Sequence, residues 1–172
     1  MSSAFPNTGD VAGGTQITIS GLNFIATGIS VTLAGAPCTN LAFNSSTQLV
    51  CSTPFSLVPR AVDVVVTNSG GQSGTAAGAF TYTGAATYTA LKTHIFNLHC
   101  IGCHSGGAPS AGMDITAYAD VFARTVPGSA VTSTLYKRIT TQAPIMPRNA
   151  PALAADEKQA IADWINAGAN NN

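Results

Sequence analysis

HCIGCH, from His99 to His104, gathers two of the four cysteines and two of the three histidines of a 172-residue chain into six positions. Three chemistries place cysteines as Cys100 and Cys103 are placed. A structural zinc site closes four ligands around the metal, yet Cys38 and Cys51 stand far back in the chain and His94 and His99 share the helical stretch that carries the pair. A redox dithiol sits just after a strand, at the start of a helix in a βαβ unit, and no such strand precedes this one. Covalent haem attachment fits best. Two intervening residues bring both sulfurs to one edge of the macrocycle for thioether bonds to its vinyl groups, and the imidazole of His104 then points at the iron.

That reading demands a second axial ligand, from an extended segment far along the chain. "APIMPRNAPAL" supplies Met146. Pro147 disfavours helical geometry at the residue before it, and Pro144 stiffens the approach. A soft thioether on a rigid loop suits an iron that alternates between oxidation states without exchanging ligands. Met113 is the rival sulfur and is expected to pack in the core. His94 and His99 ride on the attachment helix and are expected at solvent or at a helix end. Lys137, Arg138 and Arg148 are candidates to neutralise propionates, because buried carboxylates need partners; ordinary surface charge is the equal alternative for each.

Outward from the motif the pattern is helical. Tyr88, Leu91, Ile95 and Leu98 recur at three or four residues, one stripe of a helix. "ADEKQAIADWINAGA" opens on Asp156 and Glu157, suited to the positive end of a helix, presents Ile161, Trp164 and Ile165 on one side, and stops near Gly168. Shorter helices are expected at 118–124 and 132–140. The polar tail from residue 167 is expected to fray.

Before residue 84 the period is two. Ile17 and Ile19 share one face of "TQITIS", and Val62, Val64 and Val66 share one face of "VDVVVTNSGG". Short strands punctuated by Gly, Pro and Asn imply an antiparallel sandwich. Cys38 and Cys51 lie here without a histidine, and a disulfide is the economical reading, with two buried free thiols as the alternative. The chain therefore reads as two domains, 1–83 and 84–172.

Composition narrows the function. Charged residues make up 8% of the chain, and seven basic side chains cancel seven acidic ones. No field exists to draw in nucleic acid or an anionic membrane, and Arg60 is the only basic residue before position 84. No stretch approaches the roughly 20 apolar residues of a membrane span. The opening "MSSAFPNTGD" has no signal-like core, so either an export signal has been removed or the protein is cytosolic; a disulfide and a covalent haem favour export.

The first half resembles an IPT/TIG domain, an immunoglobulin-like fold. The residues that carry the resemblance are "FPNTGDVAGGTQITISGLNF", "APCTNLAFNSSTQLVCSTP" and "VDVVVTNSGGQSGTAAGAFTY". The second half resembles a class I type monohaem cytochrome c domain through "CIGCH", "AGMDITAYADVF", "VPGSAVTSTLYKRI", "IMPRNAPAL" and "EKQAIADWINAGA". This resemblance implies an all-α cytochrome c fold, one covalent haem c, and His104 with Met146 as the axial pair. It also implies a crossing of the first and last helices, bringing Leu91, Ile95 and Phe96 to Ile161, Trp164 and Ile165. The implied protein is an exported one-electron carrier rather than an enzyme, periplasmic or extracellular, meeting redox partner proteins and self-associating through the β-domain if at all. Two alternatives stand beside it: an adhesive or structural extracellular subunit whose haem is secondary, and a haem peroxidase or gas sensor with a labile Met146.

Overall fold

Alternation of buried and exposed side chains builds the N-terminal half of the protein. A computed structural model describes residues 2–172, in two units that divide between Gly84 and Ala85. Nine strands make up the first unit: β1 Ser3–Phe5, β2 Thr8–Asp10, β3 Gln16–Ser20, β4 Ser30–Leu33, β5 Ala36–Pro37, β6 Thr39–Ser45, β7 Gln48–Ser52, β8 Ala61–Thr67 and β9 Ser73–Thr83. They form a four-stranded sheet, β1-β3-β7-β6, and a five-stranded sheet, β2-β9-β8-β4-β5.

Register explains the core. Ile17 faces Cys51 and Ile19 faces Leu49 across β3 and β7, while Val31 faces Val66 and Leu33 faces Val64 across β4 and β8. All eight are buried in one apolar cluster with Val62, Phe80 and Tyr82, as the period of two requires when each sheet turns one face inward. Pro6, which has no N–H to give a ladder, stands where the chain leaves β1 in one sheet for β2 in the other. At Gly13 the backbone takes φ +78°, and a Cβ there would fall 2.7 Å from the carbonyl of Pro54; only glycine satisfies both demands.

Cys38, between β5 and β6 where the chain passes from one sheet to the other, is disulfide-bonded to Cys51 in β7 with Cα atoms 5.9 Å apart. The expected pairing is present. Closing a loop between cysteines 13 positions apart contributes about 3 kcal/mol when it restricts the unfolded chain. A Cys38→Ala/Cys51→Ala variant is therefore expected to lose about that much stability, read as a lower denaturant midpoint for the β-sheet transition.

The second unit is helical. The run 88–99 consists of α1 Tyr88–Leu91, a π-helical segment Lys92–Phe96 and α2 Asn97–His99; α3 Tyr118–Phe122, α4 Thr134–Thr140 and α5 Ala155–Asn166 follow. Thr87 starts the run by accepting the Ala90 N–H on its side-chain oxygen at 3.1 Å. Tyr88, Leu91 and Ile95 are buried as the stripe predicts, but Leu98 is 70% exposed and Phe96 is buried instead. The π turn is the cause. Its i→i+5 bonding inserts about one extra residue per turn, so positions after it rotate out of phase with a strict α-helical stripe.

The first and last helices meet at both ends. The rings of Tyr88 and Trp164 lie 5.8 Å apart, and His99 Nε2 lies 2.8 Å from Glu157 Oε1. Trp164, Ile161 and Ile165 are buried. Contrary to the expected fraying, the tail is tied down. The N–H of Tyr88 donates to Asn172 Oδ1 at 3.0 Å, and the N–H of Thr89 donates to the Asn172 carbonyl at 3.1 Å. The indole N–H of Trp164 donates to the Asn170 carbonyl at 2.9 Å, and Ala169 is fully buried. First-turn N–H groups have no partner within their own helix, and the polar tail satisfies them.

Candidate functional site

One hydrogen-bonded turn holds the cysteines and the histidine that follows them. The N–H groups of Cys100 and Ile101 both donate to the Phe96 carbonyl, at 2.9 and 3.1 Å, which ends the helical run. The Cys100 carbonyl then accepts from the N–H of Cys103 at 3.2 Å and of His104 at 3.0 Å. Beyond the turn, Ser110 N–H donates to the Cys103 carbonyl at 2.9 Å and Ile115 N–H to the His104 carbonyl at 2.7 Å. Backbone bonds thus fix Cys100, Cys103 and His104 as a unit.

The thiols are free, Cys100 half-buried and Cys103 exposed. Burial pushes the Cys100 thiol up to about 11, and the charge of Glu157 adds to the rise. A dithiol exchange centre requires the reverse, a thiol lowered toward neutrality. Among the described residues no three His, Cys, Asp or Glu side chains are grouped to hold a metal ion. His104 is half-buried, and its Nδ1 is buried without a hydrogen-bond partner among the described residues. Such an atom costs about 1–3 kcal/mol until something engages the ring.

Met146 sits on a separate, non-helical segment carried by the end of α4. Its N–H donates to the Arg138 carbonyl at 2.7 Å, and the Arg138 guanidinium donates back to the Ala143 carbonyl at 2.8 Å. Met146 is half-buried. Arg138 thus clamps this loop, while Lys137 is half-buried and Arg148 exposed. Met113 is half-buried and does not join the buried core expected for it. His94 is exposed, and His99 makes the helix-end contact with Glu157.

The sequence reading took Glu157 only as a helix-start charge and did not single out Asp114. Glu157 holds His99 with one carboxylate oxygen and accepts the Ala154 N–H on the other at 2.7 Å; its place three positions into a helix was the available signal. Asp114 accepts both the N–H and the hydroxyl of Thr116, at 2.8 and 2.7 Å, bonds that hold its carboxyl below the ordinary range. Lys92 Nζ reaches the Thr116 carbonyl at 2.8 Å, tying this loop to the π-helical segment.

These residues fit a covalently held haem. Adjacent free thiols stand on a rigid turn beside an imidazole with an unengaged nitrogen. Ile101 within the motif and Ile145 beside Met146 are both exposed.

Comparison with known proteins divides at the same place. Residues 1–82 match the family model of the IPT/TIG domain, and residues 100–149 match the model of Planctomycete cytochrome C; the second span begins at Cys100 and contains Cys103, His104 and Met146. Plexin-2 of Caenorhabditis briggsae is 46% identical over 66 residues, 37% of this chain and 4% of that protein. Plexin-2 of Caenorhabditis elegans is 47% identical over 53 residues, 30% of this chain and 3% of that protein. Among solved structures, the plexin A4 extracellular region is similar with 27% identity and a TM-score of 0.43, over 47% of this chain and 8% of that one. The chain thus spans only a few per cent of these relatives. No helix among the described residues is long and apolar enough to cross a membrane. A β-sandwich that matches the IPT/TIG domain model is followed by a helical region whose Cys100 to Asn149 segment matches the model of Planctomycete cytochrome C.

Proposed function

We propose that the helical unit is a c-type cytochrome domain of cytochrome c fold and that the protein is an exported one-electron carrier, periplasmic or extracellular. The observation that carries this reading is the closed turn from Cys100 to His104, with two free thiols and a buried, unengaged imidazole nitrogen, inside the span matched by a cytochrome family. A haem bound there supplies a single-electron couple between ferrous and ferric iron.

The chain's own residues do the rest. Cys100 and Cys103 anchor the group through two thioether bonds, and the bonds to the Cys100 carbonyl keep their spacing and the direction of His104 fixed. His104 and Met146, the latter on a loop held by Arg138, would hold the iron. With His104 and Met146 both holding it, such a group would supply electron transfer rather than a site for substrate. Residues 84–172 hold six basic and five acidic side chains, so redox partners dock with little electrostatic steering. The IPT/TIG domain serves as the docking or spacing module.

An adhesive or structural subunit is the second reading, favoured by the nearly uncharged first unit, which has one basic and two acidic residues among positions 1–83. Light scattering over a concentration series separates the two: mass that grows with concentration favours the assembly.

Visible spectra of protein matured in a host that attaches haem c test the first reading. Sharp α and β bands in the reduced form, haem retained on denaturation and slow carbon monoxide binding are expected. In the oxidised form, the weak far-red band of thioether-ligated iron is expected in the wild type and in Met113→Ala, and absent in Met146→Ala. Colourless protein refutes the haem; rapid carbon monoxide binding by the wild type points to a sensor or peroxidase.

A further inference from the structure

Between the 22–24 loop and the β8–β9 hairpin, the β-sandwich carries a cleft of about 200 Å³ lined by Leu22, Asn23, Phe24, Val66, Asn68, Gln72, Ser73 and Gly74. We propose that this cleft, at the end of the sandwich, binds a sugar unit of a neutral glycan. The inference stands apart from the haem, since every lining residue belongs to the first unit.

The lining divides by chemistry. Phe24 and Val66 are buried and form an apolar floor, and Leu22 is 72% exposed and forms an apolar wall. Asn23, Gln72 and Ser73 surround them with amide and hydroxyl groups. None of the eight is ionisable. Phosphates, carboxylates and cations therefore find no counter-charge, whereas a neutral pyranose presents one C–H face and an edge of hydroxyls, the same division of apolar and hydrogen-bonding surface. Small-molecule sites combine an apolar lining with a few placed polar groups in this way.

The walls are also held in place. The Asn68 side chain donates to the Asn23 carbonyl at 2.9 Å and accepts the Ile25 N–H at 3.1 Å, while its backbone N–H donates to the Gln72 carbonyl at 2.9 Å. One residue thereby staples the loop to the hairpin. Its carboxamide is committed to that task, which leaves Asn23, Gln72 and Ser73 to meet a ligand. Pre-ordered walls lower the conformational cost of binding. The cleft is small, so it holds one ring and the affinity is modest.

The test uses the full chain and three neutral probes, maltotriose, cellotriose and chitotriose, followed through backbone amide NMR shifts. Shifts centred on Asn23, Ser73 and Gly74 are expected with at least one probe, saturating with a dissociation constant of about 1–10 mM. Leu22→Ala and Gln72→Ala should each weaken it about three- to tenfold with an unchanged melting midpoint. Retardation in gels containing starch, xylan or β-glucan, lost in Leu22→Ala, assigns the sugar to a polymer; binding of trisaccharides without retardation assigns it to free oligosaccharides. The proposal is overturned by an absence of both shifts and retardation, by shifts confined to other faces, by variants that bind normally, or by equal binding of an oligogalacturonate.

Discussion

Replacing both Cys100 and Cys103 with serine is expected to abolish all colour that survives denaturation, while each single serine variant keeps covalent haem at reduced yield. The reasoning is bond by bond. Either sulfur alone forms one thioether, enough to carry the porphyrin through a denaturing gel, and the Cys100 carbonyl still fixes the turn because it accepts from Cys103 and His104 through backbone N–H groups. Serine keeps those bonds and removes only the nucleophilic sulfur. The Cys38→Ala/Cys51→Ala variant is the control: the two sulfurs it removes bond each other in the wild-type β-sandwich, so it should lose stability and keep its colour. A haem-specific stain after gel electrophoresis reads all four proteins at once, and colour retained by the double serine variant would refute attachment through this motif.

The motif was legible in the sequence because its chemistry is local. Five consecutive residues define it, and the bonds that close its turn run only between Phe96 and His104. The sandwich was legible for a related reason: Val62, Val64 and Val66 alternate in sequence as they alternate across the pleat, and all three are buried. Cys38 and Cys51 pair because β6, which starts just after Cys38, runs beside β7 with Thr39 opposite Ser52, and the absence of a competing ligand nearby made the pairing readable.

What sequence did not reveal depends on contacts between distant segments or on broken periodicity. Leu98 fits an unbroken α-helical stripe, and no residue between Lys92 and Phe96 announces the π turn that displaces it. Arg138 reads as a surface cation, yet it bonds the loop that carries Met146. Glu157 reads as a helix-start charge, yet it also holds His99 from 58 positions away. The tail reads as free because polar C-terminal residues usually find only water, whereas here the open first turn of the 88–99 run offers N–H donors to Asn172. A polar residue's partner is decided by what the fold places nearby, and composition carries no record of that.

Trp164→Ala is expected to cost the helical unit about 3–5 kcal/mol, the range for removing a buried aromatic side chain. Trp164 is 2% exposed, its ring lies against Tyr88, and its indole N–H holds the Asn170 carbonyl, so truncation opens a cavity between the first and last helices and releases the tail. Trp164→Phe separates these effects. A phenyl ring keeps most of the contact with Tyr88 but has no N–H, so this variant should lose only about 1–2 kcal/mol while the bonds from Tyr88 and Thr89 to Asn172 loosen. Denaturation followed by helical circular dichroism measures the first quantity, and amide exchange at Tyr88 and Thr89 measures the second. Faster exchange in the phenylalanine variant with nearly full helix stability is the expected pattern; protection equal to the wild type would mean that the tail is held by Asn172 alone and that the indole contributes only its bulk.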